Sequence, residues 1–159
     1  MASVCFDTNF MIWGIRRTAS PGQEYCIDRA RYVIERCQEN GDKIIVPSIV
    51  LGELMVPIPD RDRGDFVRFM TAEGFIVMPF DSVAAVHFAR MWASRPANTG
   101  FSRNEMKADY MIAGIALASG CQQIYSNDAG LVQFASPYLS VLTIDDITLP
   151  PRQTAILDE

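Results

Sequence analysis

Four acidic residues stand in surroundings that do not suit a solvated surface charge. Asp7 directly follows a short apolar run, and Asp128 follows another. Glu53 lies within an otherwise apolar segment, and Asp109 begins a long apolar run. A buried carboxylate without a partner costs several kcal/mol or takes up a proton, so chains seldom keep one in such a setting. These four residues are therefore the candidates for chemistry.

Oxygen-only ligands of this kind select Mg²⁺ or Mn²⁺ over zinc. The chain has a single histidine, His87, and its four cysteines show no metal-like spacing. Ions held by carboxylates can lower the pKa of a bound water and neutralise the charge that grows on a scissile phosphate. Because His87 lies among apolar residues of a helical pattern, we interpret it as a packing or half-exposed residue and not as a general base.

Each acid also has a purely structural interpretation. Asp7 or Asp128 could cap the helix that follows it. Glu53 could pair with a buried arginine, and Asp109 could lie on an exposed strip of its helix beside Lys107. A structural role for all four together is the less favoured interpretation.

Short apolar runs alternate with helical patterns along the chain. The runs predict strands at 3–6, 43–46, 75–78, 122–125 and 139–142. The periodicity and cap residues predict helices at 20–40, 47–55, 61–73, 81–92, 102–119 and 129–135, with caps at Ser20, Asp81 and Ser102. Strands that are apolar on both faces and separated by helices indicate a parallel sheet. We therefore expect a three-layer α/β/α sandwich with a central, mainly parallel, roughly five-stranded sheet, whose ligands sit beyond the carboxyl ends of the strands.

The composition of the 159 residues fits one folded domain, because 49% are hydrophobic and 21% charged. We place this domain at residues 1–142 and treat 143–159 as a tail that is either part of it or peripheral. No segment offers 18 unbroken apolar residues, and the first residues do not resemble a signal peptide. We expect a cytoplasmic protein with reduced cysteines and no membrane contact.

The order of the acidic motifs resembles the PIN-domain family of metal-dependent ribonucleases, most closely the VapC-like toxins of toxin–antitoxin pairs. The resemblance covers about residues 3–142. It rests on four short motifs in order: Asp7-Thr8-Asn9, Val46-Pro47-Ser48 leading to Glu53, Lys107-Ala108-Asp109, and Ser126-Asn127-Asp128. The segments 18–23 and 57–64 depart from the family pattern and could reshape its substrate groove.

The resemblance implies an endoribonuclease that hydrolyses RNA phosphodiester bonds by a metal-activated water. Asp7, Glu53 and Asp109 match the acidic core that holds one or two Mg²⁺ or Mn²⁺ ions, and Asp128 matches a more variable fourth acid. Ser126 matches a small hydroxyl residue near the metal, and Thr8 and Asn9 complete the first motif around the ligands.

The resemblance also implies partners. A small antitoxin protein is expected to bind and block the metal site, and a homodimer is expected, for which the apolar residues Phe66, Phe69 and Met70 could serve. The same residues could equally belong to the core.

The charge balance bears on the RNA substrate. The chain carries 14 Lys and Arg against 19 Asp and Glu, a net charge of −5, which alone argues against a nucleic-acid protein. Twelve of the cations are arginine, which forks onto phosphates. Arg16, Arg17, Arg103 and Lys107 flank the acids in sequence and are our candidates for RNA-backbone contacts, with ordinary solvated charge as the alternative.

Three other functions are less consistent with the sequence. A haloacid-dehalogenase-like phosphatase needs a second acid two residues after Asp7, where Asn9 stands. A response-regulator receiver domain needs paired acids at the first strand and a lysine after the last, and both are missing. The remaining alternative is a catalytically idle PIN-like module that binds RNA or protein.

Overall fold

The computed structural model describes residues 1–151 and contains one parallel sheet. Its strands, in spatial order, are β3, β2, β1, β4 and β5, and every neighbouring pair is parallel. Their bounds are β1 Ser3–Phe6, β2 Lys43–Pro47, β3 Phe75–Met78, β4 Gln123–Tyr125 and β5 Ser140–Leu142. The five strands lie within a residue of the predicted ranges, so the predicted α/β sandwich with a parallel sheet is confirmed.

Within residues 1–151, seven α-helices connect and cover the strands. They are α1 Thr8–Met11, α2 Tyr25–Asn40, α3 Ser48–Met55, α4 Asp60–Ala72, α5 Ser82–Ala93, α6 Arg103–Ala118 and α7 Ala129–Ala135. The predicted caps of α5 and α6 form: the Asp81 carboxylate accepts from the Ala84 N–H at 2.9 Å, and Ser102 and Glu105 bond reciprocally as a capping box.

One local prediction was wrong, and one helical segment was not predicted. Residues 20–23 do not begin the first long helix, because Gly22 adopts a φ of +85° that breaks the helical path, and α2 starts only at Tyr25. The segment after Asp7 was not predicted to be helical, yet it forms α1 and a π-helical turn at Ile12–Arg16. This segment is almost continuously apolar, so it lacks the spacing that identifies an amphipathic helix.

The central strand β1 sets the position of the candidate site. Cys5 and Phe6 are fully buried, and Phe6 pairs with Tyr125 in the register between β1 and β4. The residues that follow this pair, Asp7 and Ser126, therefore leave the sheet side by side at its carboxyl edge. The four cysteines are buried and unpaired, as expected.

Helices α5 and α6 pack closely at a glycine. A Cβ at Gly114 of α6 would meet the backbone oxygen of Ala84 at 2.8 Å, so only glycine allows this approach. Because Asp109 lies on the same helix, this contact helps to fix where α6 presents its carboxylate.

The residues after β5 begin by packing on the domain. A 3-10 turn forms at Ile144–Asp146, Ile144 is buried, and its carbonyl accepts from Arg29 of α2 at 3.1 Å. The rest of the predicted tail, 152–159, lies outside the described residues. No helix within residues 1–151 has the length and apolarity needed to cross a membrane.

Candidate active site

Asp7 ends β1 with its side chain held by two donors. The Ser126 hydroxyl donates to Oδ2 of Asp7 at 2.7 Å, and the Thr8 N–H donates to Oδ1 at 2.7 Å. Ser126 is fully buried and Asp7 is 7% exposed. The Asp7 carboxylate is therefore fixed at the carboxyl edge of the sheet and also caps α1.

Asp128 and Asp109 reach the same place from two helices. The Asp128 N–H donates to the Ser126 hydroxyl at 3.1 Å, and its carboxylate accepts from the Leu131 N–H at 3.0 Å, capping α7. Asp109 lies one turn and a half into α6 and is 9% exposed. The second residue of α7, Gly130, leaves the space between them: a Cβ there would lie 2.5 Å from Oδ2 of Asp109 and 3.2 Å from Oδ1 of Asp128.

Glu53 approaches from α3. Its carboxylate accepts from the Thr8 hydroxyl at 2.7 Å, which ties α3 to the residue after Asp7. The apolar neighbours of Glu53 suggested a buried side chain, but the structure shows it exposed, because α3 turns its apolar residues Val50, Leu51 and Leu54 toward the core. Within residues 1–151 no arginine forms an ion pair with Glu53.

These acids line one open cleft with a volume of about 310 Å³. Its walls bring together all four predicted acids with Thr8 and Asn9, and add four residues that were not predicted to belong to the site: Phe101, Glu105, Ala108 and Ile112. The spacing alone could have identified Glu105, because it precedes Asp109 by four residues and so shares its helix face. Phe101 belongs to a loop and left no such signal.

The structural interpretations of the acids fare differently. Asp7 and Asp128 are caps, and they line the cleft as well. Asp109 is buried toward the cleft and does not lie on an exposed strip. Asp7 and Asp128 thus both cap a helix and line the cleft. Asp109 caps no helix among the described residues, so capping does not account for its position.

Burial and like charge raise the pKa of two of the acids. Desolvation is the larger cause for Asp109, followed by repulsion from Asp128 and Asp7, and together they raise its pKa from 3.8 to about 7. Desolvation also raises the pKa of Asp7, against the bonds from Ser126 and Thr8 that lower it. Without a cation, the Asp109 carboxyl is therefore about half protonated near pH 7.

The oxygen ligands of the cleft are of the type that a hard divalent ion prefers, but they do not surround one common point. Carboxylate and hydroxyl oxygens converge on the cleft, and no His or Cys lines it. As placed, no three His, Cys, Asp or Glu side chains within residues 1–151 have the arrangement of a metal site.

The four predicted RNA-binding cations fall into two groups. Arg16 is half-buried and its guanidinium donates to the carbonyl of Leu54, and Arg17 is exposed with a φ of 54°. Arg103 and Lys107 extend over the ring of Trp92, and neither lines the acidic cleft. Their role in RNA binding stays a prediction.

Two further predictions concern residues outside the cleft. His87 is half-exposed on α5 and does not line the cleft. Of the apolar residues proposed for a dimer contact, Phe69 is 44% exposed and Phe66 is half-buried, but Met70 is fully buried. Met70 therefore belongs to the core, which is the alternative that the sequence left open for these residues.

The architecture matches solved structures with high coverage. VapBC2 from Rickettsia felis bound to a fragment of promoter DNA aligns with a TM-score of 0.62 and 17% identity over 89% of this chain and 98% of the matched chain. DNA-bound VapBC from Salmonella typhimurium aligns with a TM-score of 0.61 and 20% identity over 91% and 99%. The chain has the PIN-like fold. VapBC-1 from nontypeable Haemophilus influenzae aligns with a TM-score of 0.58 and 16% identity over 90% of this chain and 98% of the matched chain.

The PIN-like fold thus rests on three-dimensional similarity. No protein-family model matches the sequence, and no curated protein does. At 16–20% identity these alignments establish the architecture, so the chemistry must be argued from the cleft itself.

Proposed function

We propose that this protein is a metal-dependent endoribonuclease and the toxin of a toxin–antitoxin pair. The observation that carries the proposal is the meeting of Asp7, Glu53, Asp109 and Asp128 in one cleft at the carboxyl edge of the sheet. The site lies where open parallel sheets bind their ligands. Folding alone does not require four neighbouring carboxylates at this edge, because their burial and mutual repulsion cost stability.

The residues of the cleft have distinct proposed roles. Asp7, Asp109, Glu53 and Asp128 would hold one or two Mg²⁺ or Mn²⁺ ions, which when bound lower the pKa of water and offset charge on the scissile phosphate. Ser126 orients Asp7 and the backbone of Asp128 through its two hydrogen bonds. Thr8 orients Glu53 in the same way.

Partial protonation of Asp109 gives a reason for a cation in this cleft. With a pKa of about 7, this carboxyl near neutral pH either carries a buried charge or binds a proton. A divalent ion removes that conflict because its charge compensates the desolvation and the repulsion from Asp128 and Asp7.

The fold comparison supports a proposed partner protein. The matched structures are VapBC toxin–antitoxin complexes. We propose that a small antitoxin likewise covers the acidic cleft of this chain, placing a cationic side chain among its carboxylates. A homodimer is proposed on the exposed Phe69 with Phe66 beside it, and light scattering would measure it.

RNA cleavage by the purified chain tests the enzymatic proposal. We expect Mn²⁺ or Mg²⁺ to support cleavage of single-stranded or structured RNA, excess EDTA to abolish it, and added ion to restore it. Asp7→Asn should reduce the rate by at least about 100-fold, since it removes a charge at the centre of the site. Asp62→Asn on the exposed surface of α4 is the matched control and should leave the rate unchanged.

Two results would contradict the proposal. Cleavage that persists in excess chelator would exclude the metal route. Tight RNA binding by a chain that never cleaves, with Asp7→Asn behaving as wild type, would favour the idle PIN-like binding module instead.

A further inference from the structure

Three cations gather around the ring of one tryptophan on the flank of the acidic cleft. The guanidinium carbon of Arg95 lies 4.1 Å from the centre of the Trp92 ring, that of Arg103 lies 5.8 Å away, and the Lys107 ammonium lies 6.0 Å away. Arg95 and Arg103 are exposed and Lys107 is half-buried. We call these four residues the Trp92 cluster.

The charges of the Trp92 cluster are not compensated by acids. No carboxylate in the described part of the chain forms an ion pair with Arg95, Arg103 or Lys107, whereas five other arginines are paired. Like charges that share one ring repel one another, and the cation–π attraction offsets only part of this. In a chain with a net charge of −5, this local excess of positive charge calls for an anionic partner.

The cluster is held in place by packing. The Trp92 ring stacks on Phe88, with centroids 5.7 Å apart, and meets Tyr110 of α6 edge-on at 5.8 Å. Arg95 also donates from Nη1 to the Trp92 carbonyl at 2.9 Å. The Arg95 guanidinium therefore lies over the indole, and its side chain is exposed to solvent.

A groove beside the cluster borders the acidic cleft. It has a volume of about 370 Å³ and is lined by Trp92, Arg95, Arg103 and the loop that ends at Phe101. Phe101 also lines the acidic cleft, so the two depressions share a wall. Arg103 and Asp109 lie six residues apart on α6, which is about 9 Å along the helix axis.

We propose that the Trp92 cluster binds the phosphate backbone of the single-stranded RNA that enters the acidic cleft past Phe101. Guanidinium groups fork onto phosphate oxygens, and the outer face of Arg95 offers a stacking surface for a base. The inference rests on the proposed function for the identity of the strand. It assigns binding to Arg95, Arg103 and Lys107, and it leaves Arg16 out because that half-buried side chain donates to the carbonyl of Leu54.

The salt dependence of RNA binding tests this assignment. The probe is a short fluorescent single-stranded RNA, titrated with the full chain in EDTA at several salt concentrations. Each phosphate contact on a single strand contributes about 0.7 to the slope of log K against log salt. Replacing Arg95, Arg103 and Lys107 together by Gln should weaken binding by about 10- to 100-fold at low salt and reduce the slope by about 2.

Arg36→Gln provides the matched control. Arg36 also lies over an aromatic ring, that of Tyr32, at 5.9 Å, and has no ion pair among the described residues. It lies beside Ala2 and Gln123, at the opposite edge of the sheet from the acids. Its replacement removes one charge of the same kind and should leave the slope unchanged. Arg95→Lys keeps the charge and should keep the slope, even if loss of the flat group weakens binding.

The outcomes separate this inference from the proposed nuclease. If wild type cleaves RNA with Mn²⁺ and the triple Gln variant binds with an unchanged slope, the cluster does not contact the backbone and the nuclease proposal stands. If wild type binds RNA with the expected dependence on the cluster but never cleaves, the nuclease proposal fails and the cluster assignment stands. Loss of antitoxin binding alone would assign the cluster to a protein partner and overturn the inference. Should the triple variant fail to fold, Arg103→Gln alone must still reduce the slope by about 0.7, and a smaller change contradicts the proposal.

Discussion

A single buried hydroxyl organises two of the four acids. Ser126 donates to Asp7 and accepts from the backbone of Asp128, and its side chain is fully buried. A buried donor to a carboxylate contributes more than an average hydrogen bond, because removing it leaves a desolvated charge without compensation. The small hydroxyl is thus part of the electrostatics of the site.

Ser126→Ala should therefore destabilise the protein and weaken its activity. We expect a loss of about 2 kcal/mol, which lowers the melting temperature by about 4–8 °C. Ser119→Ala is the matched control, since the Ser119 hydroxyl is buried and has no hydrogen-bond partner in the described structure. Thermal melts of both variants in EDTA measure the difference. Equal melting temperatures would show that the Ser126 bond to Asp7 contributes nothing to folding.

Asp109 carries a pH dependence whose sign is opposite to that of a salt-bridged acid. Its pKa of about 7 in the folded chain lies above its ordinary value of 3.8. Its favourable contribution is therefore fully present below pH 4 and is lost as the pH rises through 7. Complete linkage would amount to about 4 kcal/mol, and water in the open cleft reduces this to an expected loss of about 2 kcal/mol.

Asp109→Asn should remove this loss. In EDTA the variant and wild type should melt together near pH 5, and the variant should melt about 4–8 °C higher at pH 8. Asp62→Asn should follow wild type at both pH values. If Asp109→Asn melts lower at every pH and still gains the full shift on adding Mn²⁺, Asp109 is structural and the assignment of this ligand is wrong.

At the scale of elements, α7 leaves room for the site by starting with a glycine. Ala at position 130 would crowd the carboxylates of both Asp109 and Asp128. Gly130→Ala should cost about 1–3 kcal/mol through overpacking, lower the melting temperature by about 2–12 °C, and reduce the response to Mn²⁺. Gly52→Ala in α3 has no atom within 4 Å of the new Cβ and should instead gain about 1 kcal/mol. A Gly130→Ala protein as stable as Gly52→Ala, with an intact Mn²⁺ response, would contradict this role.

The elements that could be predicted are those whose signal is local. The strands were readable because each is a short apolar run, and the α6 boundary because Ser102 and Glu105 form a capping box. The helical segment after Asp7 could not be predicted, because Phe10, Met11 and Trp13 are all buried in the core and give no regular alternation of apolar and polar residues. The Ser20-Pro21 signature failed because the left-handed Gly22 that follows is incompatible with a helix.

The candidate site shows the same limit. Four acids could be named from their surroundings, but their exposure could not, because Glu53 depends on how α3 is rotated against the core. Part of the Trp92 cluster could be predicted from the sequence, because Arg103 and Lys107 share a helix face. Trp92 lies in the last turn of α5 and Arg95 just after that helix, and only the packing of α5 on α6 brings them there.

At the scale of the whole molecule, charge is separated into two neighbouring depressions. The acidic cleft and the Trp92 cluster share Phe101 as a wall, in a chain whose net charge is −5. An RNA strand would be repelled by the acids alone. Positive charge beside the cleft and a divalent ion within it would together provide the attraction that the net charge lacks.

Metal binding should consequently be linked to both stability and protons. An ion present at about 100 times its Kd stabilises the folded chain by about 2.7 kcal/mol, which raises the melting temperature by about 5–10 °C. Because Asp109 is about half protonated near pH 7, the ion must displace a proton there, so its apparent affinity should rise with pH and level off above about 8. Calorimetry of Mn²⁺ binding in buffers of different ionisation enthalpy should show proton release at pH 6 and almost none at pH 9. Asp109→Asn should abolish that difference while Asp62→Asn keeps it. Proton release that does not depend on pH, or that persists in Asp109→Asn, would place the titrating group elsewhere.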